Sequence, residues 1–150
     1  MTAYLDTNAL IAYLYEESDN REKADQAKQL FDAIVARKLS ALITFYALPE
    51  LYAFVVRNYP EDKRNDTFRE SLVELFSAPL IVKPFVDRTE LERLRRQFTI
   101  TDSGDVYHVA AALHYDCSAL ITFDYHFRQV ASLIPVYAPE EFLATLENAD

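Results

Sequence analysis

Residues 3–14 read AYLDTNALIAYL, an apolar run interrupted at Asp6, Thr7 and Asn8 and then resumed. Ala3 to Leu5 is continuously apolar, as a buried strand is, and after the break the apolar positions 9, 10, 13 and 14 recur at helical spacing. The stretch therefore predicts a strand, an acidic break and a helix. A carboxylate inside a segment that supplies core residues is costly unless something compensates its charge.

The same grammar returns downstream. Residues 20–38, NREKADQAKQLFDAIVARK, predict an amphipathic helix with Ala24, Ala27, Leu30, Phe31, Ile34 and Val35 on one face. SALIT at 40–44 is a second strand candidate, and Pro49 and Glu50 open the helix PELYAFVVRNY, since proline fits a first turn but not a helix interior. Pro60 follows that helix, residues 61–78 predict another, and LIVKPF at 80–85 contains a third strand. DRTELERLRRQF at 87–98 is a polar helix with Leu91, Leu94 and Phe98 as a thin apolar stripe. A further helix starts near Ser103, SALITFD at 118–124 is again an apolar strand that ends on an aspartate, IPVYA is a fifth strand and PEEFLATLE a closing helix.

Short apolar strands alternating with helices predict an α/β fold, a parallel sheet covered on both faces. With 150 residues, 51% of them hydrophobic, the chain suits one core, and residues 1–150 are expected to form a single domain. One glycine leaves no Gly-rich loop to cradle phosphates, so side chains must carry any chemistry. Cys117 is the only cysteine, which excludes an intrachain disulfide and gives no cysteine-histidine metal framework. No apolar run reaches the roughly 18 residues of a membrane span, and no basic region precedes an apolar stretch at the N-terminus, so a cytoplasmic protein without membrane contact is expected.

In an open parallel sheet, ligands bind beyond the carboxyl ends of the strands, where strand order reverses. Asp6 and Asp124 end two strands, Glu50 lies one helical turn past the strand SALIT, and Asp105 falls in the first turn of the helix leading to the strand of Asp124. Singly, each is accounted for as a helix cap or dipole partner. Together, four carboxylates at one edge would raise one another's pKa unless a cation intervened, and hard divalent cations take oxygen ligands. The net charge of −9 argues against a broad basic surface; four such carboxylates with two Mg2+ would sum to zero and leave about −5 elsewhere.

The strings YLDTNALI, ITFYALPELYAF, DSGDVYHVAAALHYDCSALITFD and DYHF, in this order from residue 4 to 127, resemble the PIN domain ribonucleases, and among them the VapC-like toxins of toxin–antitoxin pairs. The resemblance implies a three-layer α/β/α sandwich around a parallel sheet of about five short strands, Mg2+ or Mn2+ dependence, an RNA substrate, an antitoxin protein as partner and a homodimer. Position by position it makes Asp6, Glu50, Asp105 and Asp124 the metal-binding acids, with Asn8 and Thr122 steadying the Asp6 and Asp124 carboxylates. Asp102 reads as the cap ahead of Asp105. In many relatives a glycine ends the helix where Asp116 stands, and aspartate tolerates the same left-handed turn at modest cost.

Metal-assisted phosphodiester hydrolysis needs no histidine nucleophile. His108 and His114, six apart on one helix, share neither a face nor a zinc spacing and are expected to be partly exposed; His126 is expected at the surface. Candidate phosphate contacts are Arg88, Arg95, Arg96 and Arg128, against the alternative of a solvated face with Glu92 pairing Arg95 and Arg96. Of ten tyrosines, Tyr13, Tyr52 and Tyr107 are expected at core edges. A haloacid-dehalogenase-type phosphatase would need an aspartate where Asn8 stands. A receiver domain would need a lysine that IPVYAPEE lacks. A PIN fold kept only to bind RNA or protein would be marked by a lost acid, and none of the four is missing.

Overall fold

The computed structural model describes residues 1–15 and 20–149; the first predicted helix, read from the sequence as NALIAYLYEE, has its last two residues, Glu16 and Glu17, outside the described residues. Strand β1 (Thr2–Leu5) stops at Asp6, whose side chain accepts from the Thr7 amide and caps α1 (Thr7–Leu14). Helix α2 (Arg21–Val35) leads to β2 (Ser40–Thr44), then α3 (Ala47–Asn58) and α4 (Glu61–Ser77) lead to β3 (Ile81–Lys83). Helices α5 (Arg88–Arg95) and α6 (Ser103–His114) precede β4 (Ala119–Ile121), a 3₁₀ helix (Tyr125–Val130) precedes β5 (Val136–Tyr137), and α7 (Pro139–Glu147) closes the chain.

All four strand pairings are parallel and the order is β3-β2-β1-β4-β5. The chain winds outward from β1 to β3 and then crosses back to place β4 on the other side of β1. The reversal of order therefore falls between β1 and β4, and it is at the carboxyl ends beside such a reversal that open parallel sheets bind ligands. Ala3 pairs with Ala119 and Leu5 with Ile121, and the Asp6 amide donates to the Ile121 carbonyl at 3.0 Å, so the segments after both strands leave side by side.

Strand alternation divides the core in two. Ala3, Leu5, Ala41, Ile43 and Ile121 face Leu10, Phe31, Ile34, Leu51, Leu75 and Phe142, from helices α1 to α4 and α7. Tyr4, Leu42 and Leu120 face Val109, Ala112, Phe127 and Val130, from α6 and the 3₁₀ helix. Phe31 stacks on Tyr13 at a centroid distance of 3.8 Å, and truncating it to alanine would cost about 3–5 kcal/mol. Asp116 adopts φ 51° just past α6, the left-handed turn expected of it.

The structure corrects three local expectations. Val35 is exposed and Ala33 buried, because the buried stripe of α2 turns through Ala27, Leu30, Phe31 and Ile34. β4 ends at Ile121, so Asp124 stands three residues past the strand and caps the 3₁₀ helix instead of closing β4. Tyr107 is buried, with its hydroxyl accepting from the Val86 amide at 2.7 Å, while Tyr52 is half-exposed against Phe68. Among the described residues, no helix is long and apolar enough to cross a membrane.

Candidate active site

Asp6 directly follows the carboxyl end of β1, beside β4, and is 6% exposed. Its Oδ1 accepts from the Thr7 amide and its Oδ2 from the Thr122 hydroxyl, both at 2.7 Å. Thr122 in turn accepts from Asn8 Nδ2 and from the Asp124 amide, each at 3.0 Å, while Asn8 Oδ1 accepts from the Phe123 amide at 3.1 Å. One hydroxyl thus ties the carboxylate of β1 to the backbone turn that carries Asp124. Asn8 steadies Thr122 and that turn, and no hydrogen bond joins it to either carboxylate, which is a narrower role than the sequence predicted.

Glu50, in the first turn of α3, is part-buried, and its Oε1 accepts from the Thr7 hydroxyl at 2.7 Å. Asp105 lies in the first turn of α6, beyond the cap formed by Asp102, whose Oδ1 accepts from the Gly104 and Asp105 amides. Gly104, the sole glycine, is closely surrounded: a Cβ there would meet Asp102 Oδ1 at 3.2 Å, Tyr46 Oη at 3.4 Å and Glu50 Oε2 at 3.6 Å. Asp124 Oδ1 accepts from the His126 amide and meets the His126 ring at 2.7 Å.

The electrostatics fit one shared edge. Burial pushes the Asp6 carboxyl above its ordinary range, against the opposing pull of His108 and the Thr122 hydrogen bond. Burial, then repulsion from Asp102, Asp6 and Asp124, pushes Asp105 up to about 6. Burial works against the Glu50 carboxylate too, but the hydrogen bond and charge of His108 outweigh it and hold Glu50 below its usual range.

His108 is the residue that sequence reasoning misplaces. It is 1% exposed, not part of a solvent face, and meets Tyr4 Oη through Nδ1 at 2.7 Å and Glu50 Oε1 through Nε2 at 2.5 Å. Its spacing from His114 carries no information, whereas its spacing from Asp105 does: three residues apart, the two share a helical face. A histidine inside the apolar run VYHVAAAL is the available signal, because a buried imidazole must find partners. His114 and His126 are surface groups, against Glu90 and Asp124 respectively.

The arginines divide. Arg128 is engaged by both Glu141 oxygens at 2.8 Å and lies over the Tyr125 ring. The ion pair on α5 joins Glu90 to Arg93, not Glu92 to Arg95 or Arg96. Arg88 and Arg96 border an open hollow with Thr89, Glu92 and Arg93, and Arg95 is exposed on the same helix.

Four carboxylates are the oxygen donors that a hard divalent cation takes. Among the described residues, no three acidic, histidine or cysteine side chains converge tightly enough to make a finished metal cage.

A doubly wound parallel sheet with carboxylates near its switch point defines an α/β protein whose ligand-binding edge is acidic. Residues 3–133 match the sequence model of the PIN domain, and the chain belongs to that family. No curated protein matches it in sequence. Among solved structures it is similar to VapC20 of Mycobacterium tuberculosis, a Sarcin-Ricin loop cleaving toxin, with a TM-score of 0.65 and 14% identity over 89% of this chain and 98% of the other. It is also similar to VapBC2 of Rickettsia felis, solved bound to a DNA fragment from its promoter, with a TM-score of 0.62 and 17% identity over 92% and 98% of the two chains. A third is FitAcB of Neisseria gonorrhoeae, with a TM-score of 0.63 and 17% identity over 92% and 98%. At these identities the likeness is one of fold.

Proposed function

We propose that the chain is one PIN domain acting as a divalent-metal-dependent endoribonuclease, the toxin of a toxin–antitoxin pair. The observation that carries this reading is that Asp6 and Glu50 both stand against His108 of α6, one turn from Asp105, whose carboxyl is raised by burial and by the charges of Asp102, Asp6 and Asp124. Their ordinary roles as caps and dipole partners do not account for that grouping.

Asp6, Glu50, Asp105 and Asp124 would hold Mg2+ or Mn2+. The bound cation would supply Lewis-acid activation of the phosphate and of a water nucleophile. The protein's part is positional. Thr122 and the Thr7 amide aim the Asp6 carboxylate, the Thr7 hydroxyl fixes one oxygen of Glu50, and the Asp102 cap presents Asp105 at the start of α6. Arg88, Arg95 and Arg96 are the local cations for RNA phosphates on an otherwise acidic molecule.

The toxin role is supported by the fold shared with VapC20 and with the VapBC2 and FitAcB proteins. It carries with it an antitoxin partner, a homodimer and a cytoplasmic setting. Purified protein should cleave a mixed RNA pool with Mg2+ or Mn2+ and lose that activity with EDTA or on Asp6→Asn substitution. Equal RNA loss in all three samples would identify a contaminant and remove the reading. Induction in a bacterial host should arrest growth, and Asp105→Asn should relieve the arrest.

A further inference from the structure

The proposed mechanism makes no use of His108, although this polar ring is fully enclosed at the site. Four polar atoms surround it: Tyr4 Oη at 2.7 Å from Nδ1, and Glu50 Oε1 at 2.5 Å, Thr7 Oγ1 at 3.4 Å and Asp6 Oδ1 at 3.5 Å from Nε2. The edge of the ring packs on Tyr46, with centroids 5.4 Å apart. A carboxylate can only accept, so Nε2 carries a hydrogen and donates to Glu50. Nδ1 meets the Tyr4 hydroxyl, which comes from the middle of the central strand.

Glu50 Oε1 consequently receives two donors, from α1 and from α6, whose apolar faces pack on opposite sides of the sheet. Neither donor takes Oε2. That oxygen lies beside Gly104, one residue before Asp105. A part-buried glutamate without such a grip would sample several rotamers, and fixing it costs side-chain entropy whenever it must act.

We propose that His108, braced by Tyr4, is the positioning residue of this site: it holds Glu50 through Oε1, so that Oε2 is presented to the cation beside Asp105. The inference rests on the reading of Glu50 as a metal-binding acid. His108 acts through Glu50 and touches no reacting atom. Outer partners of metal-binding side chains are typically worth about 10–100-fold in metal affinity, and a loss in that range is expected here.

The test is saturable Mn2+ binding by electron paramagnetic resonance, without RNA, on the wild-type protein and on H108F, H108Q, Y4F and E50A. H108F should bind Mn2+ at least about tenfold more weakly, and H108Q, whose amide can still donate to Glu50, should recover part of the loss. Y4F should lose less than H108F. In the E50A background neither H108F nor Y4F should weaken binding further, a non-additivity that general damage to the core would not produce. If H108F does not fold, the Y4F–E50A cycle carries the same test. In wild-type protein the His108 Nδ1 should show the nitrogen chemical shift of a hydrogen-bonded ring atom, and Y4F should move it. Wild-type affinity in H108F, or losses that add to those of E50A, would overturn the positioning role while leaving the metal site standing. Absence of saturable Mn2+ binding by the wild type would overturn both.

Discussion

Thr122 donates its hydroxyl hydrogen to Asp6 Oδ2 at 2.7 Å, joining the ends of β4 and β1 across 116 residues of chain. The same oxygen accepts from Asn8 and from the Asp124 amide, so Thr122→Val keeps the shape of the side chain and strands three polar partners. A loss of about 1–3 kcal/mol is expected in urea unfolding of the metal-free protein, together with weaker RNA cleavage. Thr122→Ser should restore most of both. A valine variant as stable and active as wild type would show that the hydroxyl holds nothing.

Asp6→Asn should separate activity from stability. The buried carboxyl is already pushed toward its neutral form, and asparagine keeps an oxygen for the Thr7 amide. Cleavage should fall by at least about a hundredfold, while the thermal midpoint without metal stays level or rises. A large drop in midpoint would mean that the charge itself holds the fold.

Asp105 is the group whose titration is open to direct measurement. With its carboxyl raised to about 6, the native state keeps a proton that the unfolded chain releases near the ordinary aspartate value of about 3.9. Native protein binds more protons across that window, so this group's contribution makes metal-free stability fall as pH rises from about 4 through about 6. Mn2+ affinity should rise over the same interval, since the cation competes with that proton. Carbon-detected NMR of the Asp105 carboxyl gives the midpoint, and Asp102→Asn should lower it by removing the strongest of the repelling charges. A midpoint near 4 in wild type would show that neither burial nor the neighbouring acids act on this carboxyl.

The α5 arginines and Arg128 should behave differently toward RNA. Arg128 is committed to Glu141, whereas Arg88, Arg95 and Arg96 are exposed without an ion pair among the described residues. In an Asp6→Asn background, replacing all three by alanine should flatten the salt dependence of single-stranded RNA binding by about 0.7 in log–log slope for each phosphate no longer neutralised. Arg128→Ala should change it little. The reverse order would move the RNA path from α5 to the 3₁₀ helix.

Gly104→Ala tests how little room the site has. The added methyl would stand 3.2 Å from Asp102 Oδ1 and 3.4 Å from Tyr46 Oη, so the cap or the tyrosine must give way beside Glu50 Oε2. Mn2+ binding should weaken several-fold with helix content unchanged by circular dichroism. Unaltered binding would place the cation away from the start of α6.

Local patterning carries much of the fold. The strands AYL and SALIT and the helix PEEFLATLE stand almost where periodicity and punctuation put them, because those cues act within a few residues. Asp102 as a cap and Asp116 as a left-handed turn follow from local hydrogen bonding and backbone sterics. Val35 departs from its expected place because a helix offers several nearly equivalent apolar stripes, and the choice among them is made by what packs against it.

The sequence by itself determined the parallel α/β pattern and the acids that end its strands or open its helices, since both depend on short-range spacing. Only the tertiary structure decided that Asp6 leans on Thr122, that Glu50 gives one oxygen to two donors, and that His108 lies buried against Tyr4. Those contacts join residues 43 to 116 positions apart, so they arise only when β4 docks beside β1 and the helices close over the two faces of the sheet. No local propensity records them. Burial then forces each polar atom to find its partner within the enclosure, and the histidine that looked like surface became the brace of the site.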